Sequence, residues 1–308
     1  MRHLLSSSDL GKSDYDEIIR RGVLFIKNGV PPRLLDGKIV AGLFFAPSTR
    51  TMIAFQSAFL RAGGGWIGAS GEQGLSMGKG ESWEDTIRAF SDSSDLIVIR
   101  HPDDANMESA ASVSGVPILN CGGGSKEHAA AVAMLFVNLA HALKRPLEGL
   151  RVGIYGTPQI NRVCKSLVPI FGLYGVELLI DDLGYFPLSS DIEERAKQNG
   201  LKGLTYAPLD SFIGDVDLLM VTRGLQKGIF PEGTFPKEKE ELILKTYVPI
   251  GLPHMKKLRK DAQLFMITPR IFEIDLAVDP DPRCMHTKHQ PYTEACLALS
   301  TVILGIEV

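Results

Sequence analysis

The chain has little cysteine, almost no net charge, no long apolar run and no internal repeat. Its four cysteines, Cys121, Cys164, Cys284 and Cys296, lie far apart and form no CxxC pair. That spacing argues against a disulfide framework or a zinc knuckle and leads us to expect buried free thiols in a reducing compartment. A net charge of −3 supplies no global basic field, so neither nucleic acid nor an anionic membrane is an expected partner. Any anion site must therefore be a local arrangement. No apolar segment approaches the roughly 20 residues that would span a bilayer. The opening MRHLLSSSDLGKSDYDEIIRR reads as neither a signal peptide nor an anchor, so a cytoplasmic protein is expected. His286-Thr287-Lys288-His289 lacks the i,i+4 histidine pairing of a metal helix, so no metal is expected. Gly153-Ile154-Tyr155-Gly156 lacks the full GxGxxG pattern and reads as a tight strand–helix turn, not a dinucleotide site.

What is present is ordinary globular material: 44% hydrophobic and 22% charged residues over 308 positions, a length comfortable for two domains. Seven apolar runs read as buried strands: Lys38–Phe45, Asp95–Arg100, Val116–Asn120, Leu150–Gly156, Val176–Asp181, Asp217–Arg223 and Ala262–Thr268. Near-continuous apolar strands alternating with helical stretches predict α/β architecture with parallel sheets covered on both faces. The strands fall into two sets. Between them the alanine- and leucine-rich stretch Glu127–Arg145 is expected to bridge two doubly wound parallel-sheet domains. The last apolar helix, Tyr292–Ile306, is expected to pack back on one of them. Domains are expected at 1–135 together with the returning 290–308, and at 146–289.

In open α/β sheets ligands sit at the carboxyl ends of strands, and the chemically interesting residues fall there. In FFAPSTRTMIAFQ, an apolar strand runs through Pro47 into Ser48-Thr49-Arg50-Thr51, where a helix should begin. Free N–H groups, the positive end of a helix dipole and a guanidinium fork suit a phosphate or a carboxylate. The same tetrapeptide is compatible with a plain helix cap beside a surface arginine. Arg100-His101-Pro102 ends a second strand. Glu127-His128 follows the glycine-rich run Cys121–Gly124. Ser76-Met77-Gly78-Lys79-Gly80-Glu81 is a glycine-rich loop carrying a lysine. The charged run Pro236–Glu241 reads as a solvated helix face.

In this order the motifs resemble the aspartate/ornithine carbamoyltransferase family, its aspartate branch most of all. The resemblance runs from RHLLSSSDL through STRT, SMGKGES, VIRHP, VPILNCGGGSKEH, GTPQINR and VTRGLQK to TPRIFEID. It implies a carbamoyl-phosphate-binding first domain, an amino-acid-binding second domain and a terminal helix that returns to the first. It also implies a homotrimer with active sites shared between subunits and no metal or organic cofactor. Ser48, Thr49, Arg50, Thr51 and Arg100 would hold the phosphate, joined by Ser76 and Lys79 from a neighbouring subunit. Thr51, Arg100 and His128 would face the carbamoyl oxygen. Arg162, Arg223 and Gln226 would hold the carboxylates of aspartate, and carbonyls of the turn at Thr268-Pro269 would face the carbamoyl NH2 and the incoming amine. The expected reaction joins carbamoyl phosphate and L-aspartate to give N-carbamoyl-L-aspartate and phosphate.

The chain departs from the family pattern at several of these places. The family's His-Pro-x-Gln reads His128-Ala129-Ala130-Ala131, and its His-Pro-Leu-Pro turn reads Met266-Ile267-Thr268-Pro269. An acidic residue before the serine cluster is Ala46, and the usual TRxSFE continuation carries Met52, Ala54 and Gln56. The aspartate of the usual Gly-Asp-Gly is Gly123. VTRGLQK also has one extra residue between Arg223 and the glutamine. These changes keep two further readings open. One is the same scaffold acting on a different acyl-phosphate or phosphorylated donor. The other is a non-catalytic paralog that assembles with an active homologue.

Overall fold

The structure is a computed structural model that describes residues 3–72, 75–124, 126–224 and 237–308. The chain forms two compact units, 1–141 with 291–308 and 142–290. The boundary expected at 135 falls inside a helix.

The first unit runs α1 (Lys12–Asn28), β1 (Ile39–Phe44), α2 (Thr49–Arg61), β2 (Gly65–Ser70), α3 (Trp83–Ser91), β3 (Leu96–His101), α4 (Ala105–Val113), β4 (Ile118–Gly123) and α5 (Ala129–Leu143). Among the described residues its strands form one parallel sheet in the order β2-β1-β3-β4. The second unit runs β5 (Arg151–Tyr155), α6 (Arg162–Gly172), β6 (Glu177–Asp181), α7 (Ser190–Gln198), β7 (Gly203–Tyr206), β8 (Leu218–Val221), α8 (Lys237–Thr246), α9 (Leu252–Lys257) and β9 (Gln263–Met266). Its parallel sheet has the order β7-β6-β5-β8-β9. The final helix, α10 (Tyr292–Ile303), belongs to the first unit and packs on α1 and α2.

All seven expected strands form. The two unforeseen ones, β2 and β7, are edge strands whose residues are half-buried or exposed. The interior strands β1, β3, β5, β6 and β8 are buried except at their ends. All four cysteines are free and buried, and burial pushes the Cys164 thiol up to about 12. Among the described residues no helix is long and apolar enough to cross a membrane.

The strand order locates the functional corners. In the first sheet the chain winds from β1 outward to β2, then returns to build β3 and β4 on the other side. In the second it winds from β5 to β6 and β7, then returns to β8 and β9. Each sheet therefore reverses direction once, between β1 and β3 and between β5 and β8. Loops leave such a switch point in opposite directions and open a crevice at the strand carboxyl ends.

Candidate active site

Ser48–Thr51 follows β1 and Arg100 ends β3, so the two motifs flank the first unit's switch point. Phe44 is the register partner of Arg100, and the Phe45 N–H donates to the Arg100 carbonyl at 2.7 Å. Ser48 is the N-cap of α2, but its side chain makes no capping hydrogen bond. Its hydroxyl accepts a long contact, 3.4 Å, from Arg100 Nη1. Thr49 and Arg50 are exposed, whereas Thr51 is buried. The register slips between Ile99 and His101, a bulge that places an irregularity at Arg100, where such features re-aim side chains.

Arg100 is the electrostatic centre of this corner. Its Nε is buried and has no hydrogen-bond partner among the described residues. Burial pulls its pKa below the ordinary arginine value, the Cys121 thiol opposes this, and Arg50 adds to it. The corner thus sets two guanidiniums close together, one of them largely desolvated. Neither forms an ion pair among the described residues. A buried cation without a counter-charge is costly, so the arrangement is suited to an anion. An aromatic group supports the next residue: the His101 ring lies 5.2 Å from both Phe45 and Trp83, and burial lowers its pKa.

His128 follows β4, the strand beside β3. The loop before it is tied to the corner, because Gly124 N–H donates to the His101 carbonyl at 3.0 Å. Gly124 has φ +39, and a Cβ there would collide with the Asp104 carboxylate, so only glycine fits. His128 is buried, and its Nδ1 accepts from the Ala131 N–H at 3.2 Å. An accepting Nδ1 places the proton of the neutral ring on Nε2, which makes Nε2 the donor. Ser76 and Lys79 sit exposed on a 3-10 turn, and the Lys79 side chain makes no ion pair or hydrogen bond to the corner among the described residues.

In the second unit the predicted residues gather at the carboxyl ends of β5, β8 and β9. Arg162 opens α6 after β5. Its helix is capped by buried Asn161, whose Oδ1 accepts from Val163 N–H at 3.0 Å and Cys164 N–H at 3.1 Å. Arg223 follows β8. The two loops are laced by Thr157, whose N–H donates to Thr222 Oγ1 at 2.6 Å and whose hydroxyl donates to the Arg223 carbonyl at 2.7 Å. Gly156 lets the backbones approach: its φ is +121, and a Cβ would stand 2.5 Å from Thr222 Oγ1. This is the tight strand–helix turn expected there. Thr268-Pro269 follows β9 with a cis peptide bond. Gln226 and Pro236 lie outside the described residues. The rest of the expected charged run opens α8.

Sequence reasoning missed the residue that joins two of these loops. Glu273 is fully buried, and its carboxylate accepts from Gly224 N–H at 2.8 Å, Ile271 N–H at 2.7 Å and Phe272 N–H at 3.1 Å. It holds the backbone just after Arg223 against the turn after Pro269. The motif TPRIFEID contains it, but nothing local marks a glutamate as the acceptor for a residue 49 positions earlier. Beside it, Arg270 forks onto Asp279 at 2.5 and 2.9 Å, which lowers the Asp279 pKa.

Residues 2–133 match the family model for the carbamoyl-P binding domain of aspartate/ornithine carbamoyltransferase. The aspartate carbamoyltransferase catalytic subunit of Methanocaldococcus jannaschii is 33% identical over 299 residues, covering 95% of this chain and 94% of that one. This chain belongs to the aspartate/ornithine carbamoyltransferase family. The Methanosarcina barkeri catalytic subunit is 35% identical over 278 residues, 88% of this chain and 87% of its own. The solved M. jannaschii catalytic subunit superposes with a TM-score of 0.82 at 32% identity, covering 98% and 97% of the two chains. The Trypanosoma cruzi aspartate transcarbamoylase shares the fold at a TM-score of 0.85 and 23% identity, covering 100% and 96%. Against the family pattern, the first turn of α5 is all alanine, and Ala129 and Ala130 are fully buried.

Proposed function

We propose that this protein is an aspartate carbamoyltransferase, transferring the carbamoyl group of carbamoyl phosphate to the amine of L-aspartate. The observation that carries the proposal is the closeness of Arg50, in the first turn of α2, to Arg100 of β3, whose buried Nε has no hydrogen-bond partner among the described residues. A dianionic phosphoryl group supplies the counter-charge this corner lacks. Ser48, Thr49, Arg50, Thr51 and Arg100 hold the phosphate in this reading. Thr51, Arg100 and His128 Nε2 donate toward the carbonyl oxygen, where negative charge grows as the amine attacks. Each such donor is worth about 3 kcal/mol, and orientation of the two reactants supplies much of the remainder. The C–N bond forms as the C–O bond to phosphate breaks, and the departing phosphate takes the amine's proton. Arg162 and Arg223, with Gln226, bind the aspartate carboxylates. Carbonyls at Thr268-Pro269 meet the amide and amine nitrogens.

In the same reading the first unit is the carbamoyl-phosphate domain and the second the amino-acid domain. The protein works as a cytoplasmic homotrimer in which Ser76 and Lys79 complete a neighbour's site. The exposure of both residues and, among the described residues, the absence of any tie from Lys79 to its own corner support that role. The test is incubation with fresh carbamoyl phosphate and L-aspartate, with N-carbamoyl-aspartate quantified against an Arg50→Ala control. Product well above the control is expected. Absence of product, with inorganic phosphate still bound, would overturn the choice of donor or acceptor. Light scattering giving three times the chain mass is expected for the assembly.

A further inference from the structure

The first residues of the chain reach the candidate site from 120 positions away. Leu4 pairs in parallel with Leu119 on the outer edge of β4. Its N–H donates to the Ile118 carbonyl and its carbonyl accepts from Asn120 N–H, both at 2.8 Å. Asn120 Nδ2 donates to the Leu5 carbonyl at 2.8 Å. The chain then turns, with Ser6 as a cap whose own N–H donates to Asp9. At this turn it meets Glu127. Ser6 Oγ donates to Glu127 Oε1 at 2.9 Å, and Ser7 donates to Oε2 through its N–H at 2.9 Å and its hydroxyl at 3.2 Å. Ser7 is fully buried, and the buried Tyr15 hydroxyl donates to its carbonyl at 2.7 Å. On the other side, the Glu127 carbonyl accepts from Gly123 N–H at 3.2 Å. Glu127 is therefore gripped through both backbone and side chain, and the next residue is His128.

We propose that the Ser6–Ser7 turn, acting through the Glu127 carboxylate, is a positioning clasp that sets the ring orientation and tautomer of His128. The reasoning is geometric. Ala131 N–H meets His128 Nδ1 only while the chain enters α5 at one angle. That entry is the short segment whose one end is Glu127. Hydrogen bonds to a charged acceptor are the stronger kind, and three of them on a residue adjacent to a catalytic group restrict its backbone. Slackening the clasp lets the ring tilt and frees Nδ1 to take the proton, which removes Nε2 as donor. Glu127, Ser6 and Ser7 act through His128 and touch no substrate, so they are positioning residues. The catalytic consequence rests on the proposed carbamoyl transfer; the tautomer does not.

The test uses the full chain. Nitrogen-15 NMR of the imidazole, assigned with a His128→Gln variant, reads the tautomer. Steady-state kinetics and inorganic-phosphate titration run in parallel. In the unaltered protein the Nε2–H tautomer should dominate. Glu127→Gln and Ser6→Ala should shift His128 toward a tautomer mixture and lower kcat by about tenfold to a hundredfold, with phosphate affinity unchanged. Ser6→Thr keeps both hydroxyl and cap and should restore both readouts. An unchanged tautomer in both Glu127→Gln and Ser6→Ala, even with a lowered Tm, would reduce the clasp to a purely structural role and overturn the proposal. If the unaltered protein forms no N-carbamoyl-aspartate, the proposed reaction fails, while the tautomer measurement still decides the clasp.

Discussion

The two units solve one problem with different materials. Each reverses its strand order once, and each sets an arginine on either side of that reversal: Arg50 and Arg100 in the first, Arg162 and Arg223 in the second. Each also uses a glutamate to hold a loop beside the arginines. Glu127 is gripped partly by serine hydroxyls from the start of the chain. Glu273 is fully buried and, among the described residues, accepts only from backbone N–H groups of loops at the carboxyl ends of β8 and β9. A hydroxyl is lost on substitution by alanine, whereas a backbone donor survives every substitution except proline. The first corner is thus adjustable by side-chain change, while the second is written into the course of the chain. The departures from the family pattern fall at both corners. Ala46, Met52 and Ala131 belong to the first, and Met266-Ile267-Thr268 and the extra residue after Arg223 belong to the second, which keeps its arginines and has a cis Thr268-Pro269 bond.

The largest expected effect breaks the first corner alone. Arg50→Ala should abolish phosphate binding by calorimetry and cut carbamoyl transfer by at least about a hundredfold, without changing the thermal stability of the second unit. Unchanged phosphate affinity would sink the anion-site assignment. Next, Glu273→Ala leaves three backbone N–H donors, the Gly224 one buried, without their acceptor and should cost about 2 kcal/mol of stability. In denaturant melts the second unit should loosen, and the KM for aspartate should rise while phosphate affinity holds. Equal loss of both affinities would mean the two corners are not separable.

A smaller effect sharpens the contrast by repairing the adjustable corner. Ala131→Gln returns an amide to the first turn of α5 and should raise kcat/KM for carbamoyl phosphate by about tenfold, the worth of one hydrogen bond to an otherwise unsatisfied NH2. No gain would show that the amide lost at position 131 is not what limits transfer. The smallest effect is on pH dependence. Burial lowers the pKa of His101 in the first unit and His286 in the second from the ordinary 6.5. The folded chain then binds fewer protons than the unfolded chain below that value. Stability is fully present above pH 6.5 and declines as pH falls through the folded values. His286 faces Arg270 and Asp279, and His286→Gln should flatten the decline of Tm between pH 6.5 and 5 for the second unit only.

Much of this was legible in the sequence, and the exceptions have physical causes. The interior strands announce themselves because burial on both faces demands a continuous apolar run. Of the four strands that end the sheets, β2 and β7 do not: GWIGAS and GLTY carry glycine and polar residues and are half-buried or exposed, unlike the buried β4 and β9. The arginines were legible because a cation ending an apolar strand stands out against its neighbours. Glu127 and Glu273 were not, since a glutamate beside a helix start or in a loop looks like any surface charge.

The sequence by itself determined the alternation of strands and helices, the two-part organisation, the family and the clustering of Ser48–Thr51 and Arg100 at strand ends. These depend on local composition and on motif order, which the linear chain carries directly. Only the tertiary structure decided the strand order, and with it which loops flank each switch point. It also decided that the Arg100 Nε is buried with no hydrogen-bond partner among the described residues and that the chain's first turn grips Glu127. Those facts depend on contacts between residues 50 to 120 positions apart, and no local pattern encodes which distant donor will fill a given acceptor.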